Sequence, residues 1–85
     1  MFVDCQADRL SHLKTRFVVP LLPARTFGVR TIVLNPEFVI AGEQMVLGTQ
    51  YAFTIPLPDL GPEVGTLGYE DHRIIHALDV LIGTA

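Results

Sequence analysis

The chain is 85 residues long, 49% hydrophobic and 18% charged, with a mean hydropathy of +0.42 and a net charge of −3. That is too apolar for a disordered segment, and the length suits one small domain, 1–85, near the size where a single core is marginal. Cys5 alone excludes a disulfide framework or a cysteine metal set, no run approaches the ~18 apolar residues of a membrane span, and MFVDCQADR lacks the apolar stretch of a secretion signal, so a cytoplasmic protein is expected.

The charges are unevenly placed. Residues 1–36 carry five basic and two acidic side chains, a balance of +3. Residues 37–85 carry one basic and seven acidic, a balance of −6. Such an imbalance marks either an acidic partner for the first half or an ordinary solvated surface. A pI near 5.4 argues against general nucleic-acid binding. The apolar excess is high for a small monomer and leads us to expect a dimer.

In chain order, Phe2 to Gln6 alternates as a short strand with Val3 and Cys5 on one face. Cys5 there reads as a small core residue rather than a nucleophile. Asp8 to Lys14 is a polar connection broken by Leu10 and Leu13. FVVPLL (17–22) is a β-branched strand in which Pro20 removes a ladder donor, which predicts an edge or a bulge. Pro23 to Gly28 is a loop, and Val29 to Leu34 alternates as a further strand up to the Asn35-Pro36 turn. Phe38-Val39-Ile40 and Met45-Val46-Leu47 flank AGEQ as a hairpin. Gln50 to Ile55 is another strand, and 57–68, with its prolines and glycines, is a loop.

The helix predicted over about 69–82 is the clearest element. Ile74, Leu78 and Leu81 recur at helical spacing, Ile75 and Ile82 lie beside them, and Ala77 fills between. Glu70 and Asp71 fall in its first turn, Gly68 before it as a cap and Gly83 after it as a stop. Strands over about 2–56 and one terminal helix make a mainly β, α+β chain: a small, mostly antiparallel, partly open barrel or roll.

Little in the chain suggests chemistry. His72 and His76 sit four apart with Asp79 beyond them, but HRIIH lacks the glutamate of a zinc-protease helix and a third ligand. Ser11-His12 has no orienting acid, and no glycine-rich loop carries a phosphate-binding lysine. No catalytic set, metal site or cofactor box emerges, which leaves a small β-rich interaction domain.

One family resemblance adds to this. Phe2-Val3-Asp4, Gln6 and Asp8, followed at fixed spacing by Arg16, Val18, Pro20, Leu21 and Ala24, resemble the CcdB family, the toxins of plasmid-type CcdA/CcdB toxin–antitoxin pairs. Leu34, Pro36, Glu43, Thr49, Ile55-Pro56, Gly61, Glu63-Val64 and Leu67 continue the likeness into a helix with Ile74, Ala77 and Leu78 in register. The resemblance runs over about residues 2–82 and is most specific in the first half.

The resemblance implies an SH3-like, CcdB-like antiparallel β roll, a homodimer and no cofactor. It implies an inhibitor of DNA gyrase, not an enzyme: a wedge in the gyrase A subunit that traps cleaved DNA. A CcdA-like antitoxin with an acidic tail would release gyrase, and the two together would bind operator DNA and repress their own operon. By register the gyrase-facing positions are Arg9, Leu10, Asp79, Gly83, Thr84 and Ala85. Leu78, Leu81 and Ile82 are the candidates for the dimer contact, Arg25 and Arg30 for the antitoxin.

The chain departs from the family pattern at both ends and at the gyrase-facing positions. Family toxins carry a strand before the FVD segment, where Met1 stands here, and end in Trp-Gly-Ile, where this chain has Gly83, Thr84 and Ala85. The neighbouring gyrase-facing positions are Arg9 and Leu10, where the family is aliphatic, and Asp79, where it has asparagine. An interface aromatic anchor typically carries ~2–4 kcal/mol, so weaker gyrase poisoning is expected. Two other readings stand beside the toxin. One is a homologue that dimerises and binds antitoxin without poisoning gyrase. The other is a MazF/Kid-type endoribonuclease, for which His12 with Arg16 or Arg25 would have to supply the acid–base set.

Overall fold

The computed structural model describes residues 1–61, 64–65 and 71–83. The apolar run at 17–22 forms most of β2 (Thr15–Pro23), and the sheet is built around it. β1 (Phe2–Asp4) pairs antiparallel with its middle, Val3 opposite Val19. Along the other edge β2 serves two partners in turn. Its start pairs with β5 (Phe53–Pro56), Arg16 opposite Ile55, and its end with β4 (Glu43–Leu47), Leu22 opposite Val46. β3 (Glu37–Ile40) folds back on β4, and β6 (Val64–Gly65) runs parallel to β1. The sheet order is β3-β4-β2-β1-β6, with β5 pairing β2 off this path. A strand that changes partner along one edge makes the sheet curl. The result is the expected half-open, mostly antiparallel roll with one C-terminal helix.

Pro20 sits where that change occurs. Cys5 N–H donates to the Phe17 carbonyl and Leu21 N–H to that of Met1, so the odd residues of β2 bond to β1 and the even ones face the other edge. On that edge the β5 pairing stops at Val18 and the β4 pairing starts at Leu21. The donor that proline lacks therefore falls in the gap, while the Pro20 carbonyl still accepts from Gly48 N–H at 2.8 Å. Pro20 is neither at a sheet edge nor costly: it marks the seam.

The strand is covered on both faces, as its continuous apolar run allows. Val19 and Leu21 join Val3, Phe38, Met45, Leu47, Ile74 and Ala77 in the main core, with Cys5, Phe17, Ile40, Ala52 and Leu78 packed against it. Val18 and Val46 are equally buried but outside that cluster. The Phe2 ring meets Phe53, the residue opposite Val18, edge-on at 5.5 Å.

Val29 to Leu34 is not a strand. It is bend and turn, and Val29 is fully exposed. The reason is the buried Asn35. Its backbone N–H donates to the Thr31 carbonyl at 2.7 Å, and its side-chain oxygen accepts from Thr31 N–H at 3.3 Å. These bonds close a turn over 31–35 and remove groups a ladder would need. The Asn35 amide also donates to the Leu47 carbonyl and to Gln50 Oε1, and the Thr49 hydroxyl donates to the Leu34 carbonyl.

Smaller differences have equally local causes. The 23–28 loop contains a helical turn, α1 (Ala24–Phe27). Gln50 and Tyr51 belong to a 3₁₀ turn (Thr49–Tyr51), so β5 is shorter than the apolar run. The 57–68 loop contains a 3₁₀ turn (Leu57–Asp59) and β6. The hairpin turn is Ala41-Gly42 alone, with Glu43 and Gln44 already in β4. Both turn residues have positive φ, 52° and 79°, as in a type I′ turn. Alanine pays a steric cost there that asparagine tolerates better. Ala41→Asn is expected to raise stability by roughly 0.5–1 kcal/mol, measured as a higher urea midpoint at unchanged slope.

The helix α2 spans His72–Ile82 rather than starting at 69. Asp71 is its N-cap, with extended backbone and a carboxylate accepting from Arg73 N–H at 2.9 Å. The cap outcompetes a longer helix because it satisfies an orphan donor at the point where the chain turns. Gly68 and Glu70 lie outside the described residues. Gly83 ends the helix in the left-handed region (φ 85°, ψ 19°), its N–H on the Val80 carbonyl at 3.2 Å.

Candidate partner-binding site

The connection between β1 and β2 is tightly held. Asp8–Leu10 is a 3₁₀ turn, followed by a bond from Leu13 N–H to the Leu10 carbonyl at 3.0 Å. Gln6 braces it from one side, donating to the Leu10 carbonyl at 2.9 Å while its side-chain oxygen accepts from Phe17 N–H. Arg16 braces it from the other. Its guanidinium donates to the carbonyls of Ser11, Leu13 and Thr15 at 3.0–3.2 Å and lies 3.6 Å from Asp4. Arg9, Leu10, His12, Leu13 and Lys14 are displayed outward, all exposed.

The far end of α2 supplies the second group of expected contacts. Ile74 and Ala77 are buried, Leu78 is half-buried against the core, and Leu81 and Ile82 are exposed, Ile82 at 70%. Of the three expected dimer residues, then, Leu78 is largely committed to its own core. Asp79 is half-buried and Gly83 exposed. Thr84 and Ala85 lie outside the described residues. Arg9 and Leu10 stand on one element and Asp79 and Gly83 on another, and the bonds described for the turn lead to Gln6 and Arg16.

The two arginines expected to meet an antitoxin are each ion-paired within the chain. Arg25 pairs with Glu43 on the surface. Arg30 pairs with Glu37 at 3.1 Å and donates to the Ala24 and Gly28 carbonyls. A nuclease set would need His12 with Arg16 or Arg25. Arg16 is spent on backbone carbonyls, and Arg25 lies in α1 beyond the opposite end of β2.

Arg73 joins helix to sheet. It chelates Asp71 (3.0 and 3.2 Å), donates to the Glu37 carbonyl at 3.1 Å and lies 4.0 Å over the Phe38 ring. Its hydrogen bonds hold the Asp71 carboxyl below the usual carboxylate range. With His76, Ile32, Val33, Pro36 and Glu37 it lines a groove of about 450 Å³. His72 is exposed, and among the described residues no three metal-ligating side chains cluster.

Cys5 behaves as a core residue. Burial, then the neighbouring Asp4 carboxylate, pushes its thiol from 9.0 up to about 11. A raised folded-state value means the native state holds this proton more firmly than the unfolded chain does. Its contribution is complete below pH 9 and is lost as pH rises towards 11. The urea midpoint is therefore expected to fall between those values, and less so in Cys5→Ala.

In the sequence the turn reads only as a polar connection. Gln6 and Arg16, which hold it, belong to the family pattern and carry no signal in the periodicity. Asn35 and Thr49, which shape the neighbouring loop, had no signal beyond a turn dipeptide and a family match.

Together these features define a class: a small curled β roll that presents a braced turn and a helix end at its surface. Residues 1–83 match the family described as CcdB protein, and the chain belongs to that family. The family is one of gyrase-poisoning toxins of toxin–antitoxin systems, which are inhibitors rather than enzymes. No curated protein sequence matches this chain. No helix among the described residues is long and apolar enough to cross a membrane.

Proposed function

We propose that this chain binds the A subunit of DNA gyrase, inhibits the enzyme on cleaved DNA, and is neutralised by a CcdA-like antitoxin. The family match over residues 1–83 carries this reading. Arg9 and Leu10 on the braced turn, with Asp79 and Gly83 at the end of α2, are its gyrase-facing residues by register. Thr84 and Ala85 complete that set. The chain acts as a homodimer, for which Leu81 and Ile82 offer exposed apolar surface beside Leu78. Operator DNA is bound only by the toxin–antitoxin complex.

A second reading follows from two of these side chains. Arg9 and Asp79 place charges where the family is aliphatic or uncharged, and desolvating them against gyrase is costly. This favours a homologue that dimerises and binds antitoxin without poisoning gyrase. Induced expression in a gyrase-sensitive bacterium and in an otherwise identical host with a resistant gyrase A subunit separates the two. The toxin reading expects slowed growth in the first host only. Equal growth in both rejects it.

A further inference from the structure

We propose that the groove between α2 and the 31–37 segment binds a small aromatic carboxylate. The groove measures about 450 Å³, the size of a small-molecule site. Ile32, Val33 and Pro36 line it with apolar surface, and Glu37, Arg73 and His76 supply its polar atoms. It is formed in advance of any ligand. Asn35 closes the turn over 31–35, Arg30 pairs with Glu37, and Arg73 ties the helix to the Glu37 carbonyl. None of its lining residues is among those expected to meet gyrase, a second protomer or an antitoxin, and the proposal does not rest on the toxin reading.

The head group of the ligand follows from the hydrogen-bonding capacity left over. Glu37 has little to spare, since one carboxylate oxygen accepts from Arg30 and the other from Gln44. Arg73 has more. It spends three of its five side-chain N–H groups, two on Asp71 and one on the Glu37 carbonyl. Two remain, on a side chain that is 56% exposed. The His76 imidazole, one helical turn further on, is exposed as well and carries a ring N–H. The unspent groups are therefore mainly donors, which a carboxylate matches and an ammonium does not. Asp71 and Arg30 balance Arg73 and Glu37, so the head group is read by directed donors rather than by net charge.

The body of the ligand follows from Phe38. Its ring is buried and lies 4.0 Å from the Arg73 guanidinium, which covers it. A guanidinium is planar and stacks on aromatic faces. With one face on Phe38, the other is left for a second ring, whose edges Ile32, Val33 and Pro36 can cover. An aliphatic acid fills the same space without that stack.

The test titrates the full, isotope-labelled chain with 2-naphthoate. Two comparison compounds each keep one half of it: 2-naphthylmethylammonium has the ring with the opposite head group, and octanoate has the carboxylate without a ring. Naphthoate should bind roughly tenfold more tightly than either and shift the amides within 32–37 and 73–76. Arg73→Lys keeps the charge but loses the plane and the fork, and should weaken naphthoate roughly tenfold. Ile32→Asp lies at a position 79% exposed, where the fold is not at stake, and should weaken it as well. His76→Leu should narrow the preference for naphthoate over the ammonium compound. Equal or tighter binding of the ammonium compound, equal binding of octanoate, shifts centred outside the groove, or no saturable binding would overturn the assignment. Gyrase and antitoxin are absent from this titration, so its failure is distinct from a failure of the growth test.

Discussion

Ile74→Ala is expected to destabilise the protein by about 2–5 kcal/mol, enough to remove much of the native state of a domain this small. Ile74 is fully buried, and it is the large side chain through which α2 enters the core beside Val3, Leu21, Phe38 and Leu47. The helix is 11 residues long, too short to persist in water without tertiary contacts. A cavity at Ile74 therefore weakens helix and sheet together. Ile75→Ala on the same helix, 41% exposed, is the control and should cost well under half as much. Urea unfolding followed by circular dichroism checks both. A cost below about 1 kcal/mol for Ile74→Ala would mean that α2 docks by other contacts.

Asn35→Ala has the second large expected effect, about 2–4 kcal/mol. Asn35 is 1% exposed and spends its amide on three bonds, to Leu47, Gln50 and Thr31. Truncation leaves the Leu47 carbonyl and Thr31 N–H short of a partner beside a cavity. Asn35→Asp keeps the shape and the acceptor, but it removes both donors and buries a charge between two oxygens, so it should cost at least as much. Amide exchange should report faster opening of 31–35 in both variants before global unfolding. If both variants melt like the parent, the loop is held by Arg30–Glu37 and the Thr49–Leu34 bond instead.

What the sequence made legible follows from where side-chain pattern alone decides structure. The β roll with a terminal helix was readable because β2 carries a continuous apolar run and α2 a helical stripe. Boundaries set by polar atoms were not. α2 begins at His72, and its cap by Asp71 depends on a bond to Arg73 that no periodicity records. Val29 to Leu34 is rich in β-branched residues and reads as a strand, yet a single buried asparagine folds it into a turn. Pro20 looked like an edge residue because its missing donor matters only relative to neighbours, and the neighbours change at that residue.

The candidate surface shows the same division. The family pattern pointed to Arg9 and Leu10, and they stand exposed on the turn. Arg25 and Arg30 stand out in the sequence only by their charge. Charge counting cannot tell a free cation from one already paired across 7 or 18 residues of chain, as Arg30 and Arg25 are. Likewise the helical spacing that made Leu78 a dimer candidate could not say that it packs half-buried on its own core.

The central claim is that the chain acts on gyrase, and a purified reaction tests it most directly. Gyrase, supercoiled plasmid and ATP are incubated with the protein, and the products are denatured and protease-treated. The toxin reading predicts linear plasmid that rises with protein concentration and is lost when the A subunit is a resistant variant. Unbroken plasmid at concentrations where the protein demonstrably binds gyrase would contradict it.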